Sequence, residues 1–238
     1  MAKLKTPEGN YRYSPVLLYE GRKEMDKAVA LRNLKELAEL LSAAGIQSGP
    51  AFGSLLGIVR DHDFIAWDED IDMYILQEQE TAFRSLLWKM RENGFELVRY
   101  DWRGLYSVMR DGEYIDFYVF RSVSPELRNN GGPTFIFEKY FRDTVRVNFK
   151  GVSLTIPSDS EELLSFLYGD SWRTPVRYYS SSPGPLSICR KRLVRDCKSL
   201  VPSFLRPWII RLLRRKDLHR FVLKCEGKGI SLQYPVTL

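Results

Sequence analysis

Two short segments alternate apolar and acidic residues with a period of two, and they constrain the chain more than anything else in it. In Asp70-Ile71-Asp72-Met73-Tyr74-Ile75, the residues Ile71, Met73 and Ile75 form one row while Asp70 and Asp72 fall on the other. Successive side chains of a strand point to opposite faces, so the two aspartates project together, with Cα atoms roughly 6.6 Å apart at ~3.3 Å per residue. Two carboxylates at that spacing can share one hard cation. Tyr114-Ile115-Asp116-Phe117-Tyr118-Val119 repeats the pattern: Ile115, Phe117 and Val119 are apolar, and Asp116 projects with Tyr114 and Tyr118. Such strands bury one face and aim the other into a cleft.

The elements between them predict an α+β fold. A stripe of Ala28, Leu31, Leu34, Leu37, Ala38 and Leu41 predicts a helix over 24–44 that stops at Gly45. A second helix is expected over 78–93, closed by Gly94. Strands follow at 95–100, 105–110 and 114–120, the last two joined at Asp111-Gly112, a strong hairpin signal. Residues 145–156 read as another hairpin turning at Lys150-Gly151. Pro157-Ser158 then opens a helix, with Ser158 and Glu161 at capping-box spacing and Gly169 as the stop. The serine- and proline-bearing stretch 178–185 is the expected linker. It divides a catalytic domain, 1–180, from a C-terminal extension, 181–238.

Composition narrows the chemistry. Only two histidines occur, His62 and His219, so a catalytic zinc held by three imidazoles is excluded by count. Cys189, Cys197 and Cys225 are too widely spaced for a zinc site and are read as reduced thiols. The carboxylates must carry the reaction. No run of eighteen or more apolar residues occurs and the first residues lack a signal-peptide core, so the chain is expected in the cytoplasm.

Charge is uneven. Residues 186–224 hold twelve Lys or Arg against two Asp; that +10, set against a net +6, leaves −4 for the remainder. Phe204, Leu205, Trp208, Ile209, Leu212 and Leu213 recur every three to four positions among Arg206, Arg211, Arg214, Arg215 and Lys216, which predicts a basic amphipathic helix over 204–224. Either it lies at an anionic membrane surface, at the inner face of the membrane, or its stripe docks onto the catalytic domain or a second subunit. Binding to nucleic acid is the weaker reading, because the charge is confined to one segment and no nucleic-acid motif accompanies it.

Residues 53–72, Gly-Ser-Leu-Leu-Gly-Ile-Val-Arg followed by Asp-His-Asp-Phe-Ile-Ala-Trp-Asp-Glu-Asp-Ile-Asp, resemble the LicD/fukutin family of phosphotransferases. The match includes Gly53, Leu55, Leu56, Gly57, Arg60, Phe64, Ile65, Trp67, Asp68, Asp70, Ile71 and Asp72. It departs at Ser54, Ala66 and Glu69, where the family has Thr, Pro and Asp. Ile115-Asp116-Phe117 and the segment from Ile156 to Asp170 extend the similarity to about residues 30–175.

The resemblance implies a nucleotidyltransferase-like mixed sheet flanked by helices. It also implies transfer of a phospho-alcohol, such as phosphocholine, ribitol phosphate or glycerol phosphate, from a CDP-linked donor to a sugar hydroxyl of a cell-surface glycan or its lipid-linked precursor, with CMP leaving. Asp70 and Asp72 would then hold Mg²⁺ or Mn²⁺ on the donor diphosphate. Asp116 would complete a second metal position or accept the attacking hydroxyl's proton. Asp68 shares their parity at the strand entrance and is the most peripheral of the four. Gly53 would let the donor approach the backbone, Ser54 would donate to a phosphate oxygen, and Arg60 would bind a phosphate or pair with Asp63 or Asp68. Trp67 and Phe64 would stack on a base or pack beneath the site. The carboxylates alone also permit a nucleotidyltransferase that moves NMP from an NTP to a small molecule. The Arg60 and Phe64-to-Trp67 signature favours the CDP-alcohol donor.

Overall fold

A computed structural model describes residues 1–18, 23–177, 184, 186, 188–190, 193–194, 197, 200–202, 204–234 and 236. The expected linker over 178–185, with its boundary at 180/181, lies outside them apart from Gly184.

The chain begins with a hairpin that patterning did not suggest, β1 (Ala2–Thr6) and β2 (Gly9–Tyr13). Helix α1 (Lys27–Ala43) follows, its Asp26 cap accepting from the N–H groups of Ala28 and Val29. Then come β3 (Ser48–Pro50), the short helix α2 (Phe52–Leu56), a π-type turn over Gly57–Asp61, and β4 (Ile71–Leu76). Helix α3 (Glu80–Glu92) leads to β5 (Glu96–Asp101), β6 (Leu105–Arg110) and the long β7 (Glu113–Ser124). Beyond them lie β8 (Leu127–Asn129), β9 (Phe135–Phe137), α4 (Lys139–Arg142), β10 (Thr144–Phe149), β11 (Val152–Pro157) and α5 (Ser160–Tyr168). The last helix is α6 (Arg206–Gly227).

The central sheet runs β3-β4-β7-β6-β5, with β8 and β9 continuing from β7. Among the described residues only β4 and β7 pair in parallel, so the sheet is mixed. The Asp-Gly turn forms as expected: Asp111 and Gly112 have φ of 53° and 81°, both in the left-handed region that a two-residue hairpin of this hand needs.

The period-two pattern separates two cores. Ile71, Met73, Ile75, Ile115, Phe117 and Val119 join Leu34, Leu37 and Leu41 of α1 and Phe83, Leu87 and Met90 of α3. The N-terminal hairpin closes that core. Tyr11 meets Trp88 edge-on at 5.0 Å, and Trp88 Nε1 donates to Thr6 Oγ1 at 3.0 Å. On the opposite face, Leu55, Tyr74, Phe120, Phe141, Ile156 and Leu164 pack together. The acidic row of β4 and β7 lies on this second face.

Two local expectations need correction. Ser158 does not cap α5: the cap position is Asp159 without a side-chain bond, and Ser160 Oγ donates to the Pro157 carbonyl instead. The basic helix also runs further than its apolar stripe, and both of its faces carry apolar residues. Phe221 and Cys225 of its second half are buried against Val123, Leu127, Phe135 and Phe166, whereas Trp208, Leu212 and Leu213 of its first half are exposed. Docking on the preceding part of the fold therefore describes one end of α6 and an outward stripe the other.

Candidate active site

The site is a row across four strands. Arg99 of β5 pairs in register with Ser107 of β6, Ser107 with Asp116 of β7, and Asp116 with Asp72 of β4. Asp70, just ahead of β4, keeps the parity of Asp72. Asp70, Asp72 and Asp116 each place a carboxylate oxygen within 4.8 Å of the other two.

Backbone anchoring fixes Asp72. Its N–H donates to Ser54 Oγ at 2.8 Å, and its carbonyl accepts from Ala51 N–H at 2.9 Å. Ser54 is thus committed as an acceptor toward β4, while its own O–H can still donate. Phe52 adopts a φ of 45°, a left-handed conformation costly for an aromatic residue, immediately before Gly53. Gly53 is required by close approach: a Cβ there would lie 2.9 Å from Asp68 Oδ2 and 3.8 Å from Asp72 Oδ2.

Burial dominates the electrostatics. It raises Asp70 and Asp72 well above the ordinary carboxylate range, and the neighbouring carboxylates raise them further. Tyr114 hydrogen-bonds Asp70 and Tyr118 hydrogen-bonds Asp72, each a smaller opposing effect. Asp116 is also raised by burial, against Arg99 and Ser107, which favour its ionised form. Burial pushes Asp68 up to about 6. Asp68 lies beside Gly53, outside the three-oxygen cluster.

The remaining predicted residues are placed as follows. Arg60 is held in a fork by neighbouring Asp61 at 2.8 Å and 2.8 Å, and reaches the Trp172 carbonyl at 3.3 Å. Neither pairing weighed from sequence occurs: Asp63 binds Lys27 and Lys150. Trp67 is half-buried, with the Arg177 guanidinium 5.8 Å from its ring centre. Phe64 is buried edge-on against Phe149 at 5.1 Å, which is packing. Arg99, Ser107 and Tyr168 were missed. Tyr168, at the end of α5, stands within electrostatic reach of Asp72, Asp68 and Arg60. Tyr114 and Tyr118 carried a signal, their shared parity with Asp116; Arg99 carried none, since its place depends on register across three strands.

The donor set fits a hard divalent cation. It is made of carboxylate oxygens from two adjoining strands, and Asp116 Oδ1 is buried without a hydrogen-bond partner. An orphaned acceptor of that kind is costly unless something positive completes it.

A family model described as LicD/FKTN/FKRP, nucleotidyltransferase domain, matches residues 45–159, which contain all three clustered aspartates. Over those residues the chain is similar to the LicD/FKTN/FKRP family. Among curated relatives, the ribitol 5-phosphate transferase FKRP of Mus musculus is 42% identical over 69 residues, covering 27% of this chain and 14% of FKRP. An uncharacterized protein of Rickettsia typhi is 35% identical over 72 residues, covering 30% of this chain and 23% of its own length. The chain thus spans less than a quarter of either relative. Among solved structures, the lincosamide antibiotic adenylyltransferase LnuA, lincomycin-bound, aligns with a TM-score of 0.43 at 11% identity, covering 72% of this chain and 98% of LnuA. The LicD-type assignment agrees with the mixed sheet and flanking helices of this chain, and the α+β nucleotidyltransferase-like fold read from the sequence is the one it adopts. Among the described residues, no helix is long and apolar enough to cross a membrane.

Proposed function

We propose that the chain transfers a phospho-alcohol unit from a CDP-linked donor to a sugar hydroxyl of a glycan or its lipid-linked precursor, releasing CMP. The observation that carries this reading is the Asp70–Asp72–Asp116 cluster, with Asp116 Oδ1 left unpaired inside it. The similarity of residues 45–159 to the LicD/FKTN/FKRP nucleotidyltransferase domain and the ribitol phosphate chemistry in FKRP's name support an alcohol phosphate as the transferred group.

Asp70, Asp72 and Asp116 would hold Mg²⁺ or Mn²⁺, which when bound offsets the charge of the donor diphosphate and of the transition state. The protein's own part is positioning. Ser54 and Ala51 fix the backbone of Asp72, Tyr114 and Tyr118 orient the carboxylates, and Gly53 admits the Asp68 carboxylate against α2. Arg99 occupies Asp116 Oδ2, which leaves the unpaired Oδ1 as the oxygen free to take a ligand. We therefore read Asp116 as a ligand rather than the base. In the reaction, the acceptor oxygen bonds to the phosphorus that bears the alcohol, the bond from that phosphorus to CMP breaks, and the acceptor proton leaves to solvent or product phosphate.

A panel of CDP-choline, CDP-ribitol and CDP-glycerol with Mg²⁺ and a glycan acceptor tests this. CMP release that disappears in Asp70→Ala/Asp72→Ala is the expected result. Pyrophosphate release from an NTP, with no turnover of any CDP-alcohol, would move the chain to the nucleotidyltransferase reading.

A further inference from the structure

Helix α6 carries apolar residues on both sides, and only one side is used by the fold. Phe221 and Cys225 are 6% and 1% exposed and face the domain, where Phe221 stacks near Phe135, Phe137 and Phe166 at 5.3–5.7 Å. A helix turns 100° per residue, which places Leu205, Trp208, Ile209, Leu212 and Lys216 on the side opposite Phe221 and Cys225. Along that outer side and at its margins Phe204 is 77%, Trp208 61% and Leu213 53% exposed. Folded domains seldom leave such a row of large apolar side chains in water without a use for it.

The charges around that row indicate what it meets. Helix α6 has seven Lys or Arg against two Asp or Glu. Arg215, Lys216 and Arg220 are exposed and follow directly on the apolar first half. Arg220 lies 3.7 Å from Asp217. A second copy of the same surface would set these cations against one another. An anionic lipid surface matches both parts, with apolar side chains entering the acyl boundary, Trp208 at headgroup depth and cations against phosphate. We infer that the outer face of α6 docks the folded chain reversibly on anionic membranes, while its inner face ties the helix to the catalytic domain. This inference is independent of the transfer reaction proposed above.

The test is co-sedimentation of the full chain with vesicles of phosphatidylcholine alone and of phosphatidylcholine with about 30% phosphatidylserine. The chain should pellet with the anionic vesicles, stay in solution with the neutral ones, and be released at high salt. Arg215→Gln/Lys216→Gln/Arg220→Gln should weaken anionic binding by on the order of a hundredfold. Trp208→Ser/Leu212→Ser should abolish it, with thermal melting unchanged because neither residue faces the domain. Equal binding to both vesicle types, undiminished binding by either variant, or no binding by the wild-type chain would each overturn the inference. So would a wild-type dimer in sedimentation velocity that Trp208→Ser/Leu212→Ser converts to monomer without any lipid binding.

Discussion

The Arg99 guanidinium on β5 reaches across β6 to Asp116 Oδ2, and its Nε donates to Ser107 Oγ, the residue in register between them, at 2.7 Å. Asp116 thus has one oxygen held by a fixed cation and the other, Oδ1, buried and unpaired, in a residue whose carboxylate clusters with those of Asp70 and Asp72. That permanent positive charge favours the ionised form of Asp116 against its burial, and under the proposed function the open side of the cluster would take the divalent ion.

Arg99→Met should therefore destabilise the metal-free chain. The cost is about 1–2 kcal/mol, at the low end because the Arg99 side chain is 30% exposed. That corresponds to a few degrees in Tm. Saturating Mg²⁺ should restore more of the loss in the variant than it adds to the wild type, because the ion then supplies the charge that Arg99 had supplied. Differential scanning calorimetry in EDTA and in Mg²⁺ measures both effects; an identical Mg²⁺ increment in the two proteins would contradict the role given to Arg99.

Asp70→Asn should act on stability and activity in opposite directions. Asp70 is penalised by burial and by Asp116, Asp68 and Glu69, so removing its charge should stabilise the metal-free chain, typically on the order of 1 kcal/mol for relief of this kind. It also deletes one of three clustered ligands, so CMP release should fall by at least about a thousandfold. A melt in EDTA together with a turnover assay reads both. A variant less stable than wild type without metal would show that the repulsion is already relieved by another group.

Gly53→Ala tests packing without disturbing the backbone, because Gly53 has no left-handed φ and lies in α2. The added methyl meets Asp68 Oδ2 at 2.9 Å and must displace that carboxylate. A shift of about 1 Å at a positioning group costs on the order of a hundredfold in rate. Tm should change little, since Ala favours a helix over Gly by about 1 kcal/mol and offsets the strain. Gly53→Ala/Asp68→Ala, which removes the clash, should be no slower than Asp68→Ala alone in the same assay.

Much of this arrangement is legible in sequence because period-two patterning is local. Ile71, Met73 and Ile75, and Ile115, Phe117 and Val119, identify the buried face of β4 and β7, and the aspartates fall on the other by parity. What the sequence conceals depends on register and on tertiary neighbours. Arg99 meets Asp116 only because β5, β6 and β7 pair as they do. The hairpin of β1 and β2 alternates Leu4 and Thr6 with Tyr11 and Tyr13, but over five residues per strand the signal is weak until Trp88 supplies a surface to cover. The stripe in α6 is correctly periodic, yet the face that docks is centred on Phe221 and Cys225, which lie at or beyond its end.

Acid sensitivity should arise at the loop that enters the site. Asp63 accepts from Lys27 Nζ at 2.9 Å and pairs with Lys150 at 3.0 Å, linking the start of α1 to the loop and to the β10–β11 turn. Chiefly through Lys27, its carboxyl is held down at about 2, against 3.8 for a free aspartate. Because the folded value lies below the unfolded one, the contribution to stability is fully present above about pH 4 and is lost as pH falls toward 2. Asp63→Asn should therefore lower Tm by a constant amount between pH 5 and 8, and the gap to wild type should close as the pH is brought to 2. Melting curves of the two proteins across that range check it, and a gap that stays open at pH 2 would mean that Asp63 supports the loop through hydrogen bonds that survive its protonation.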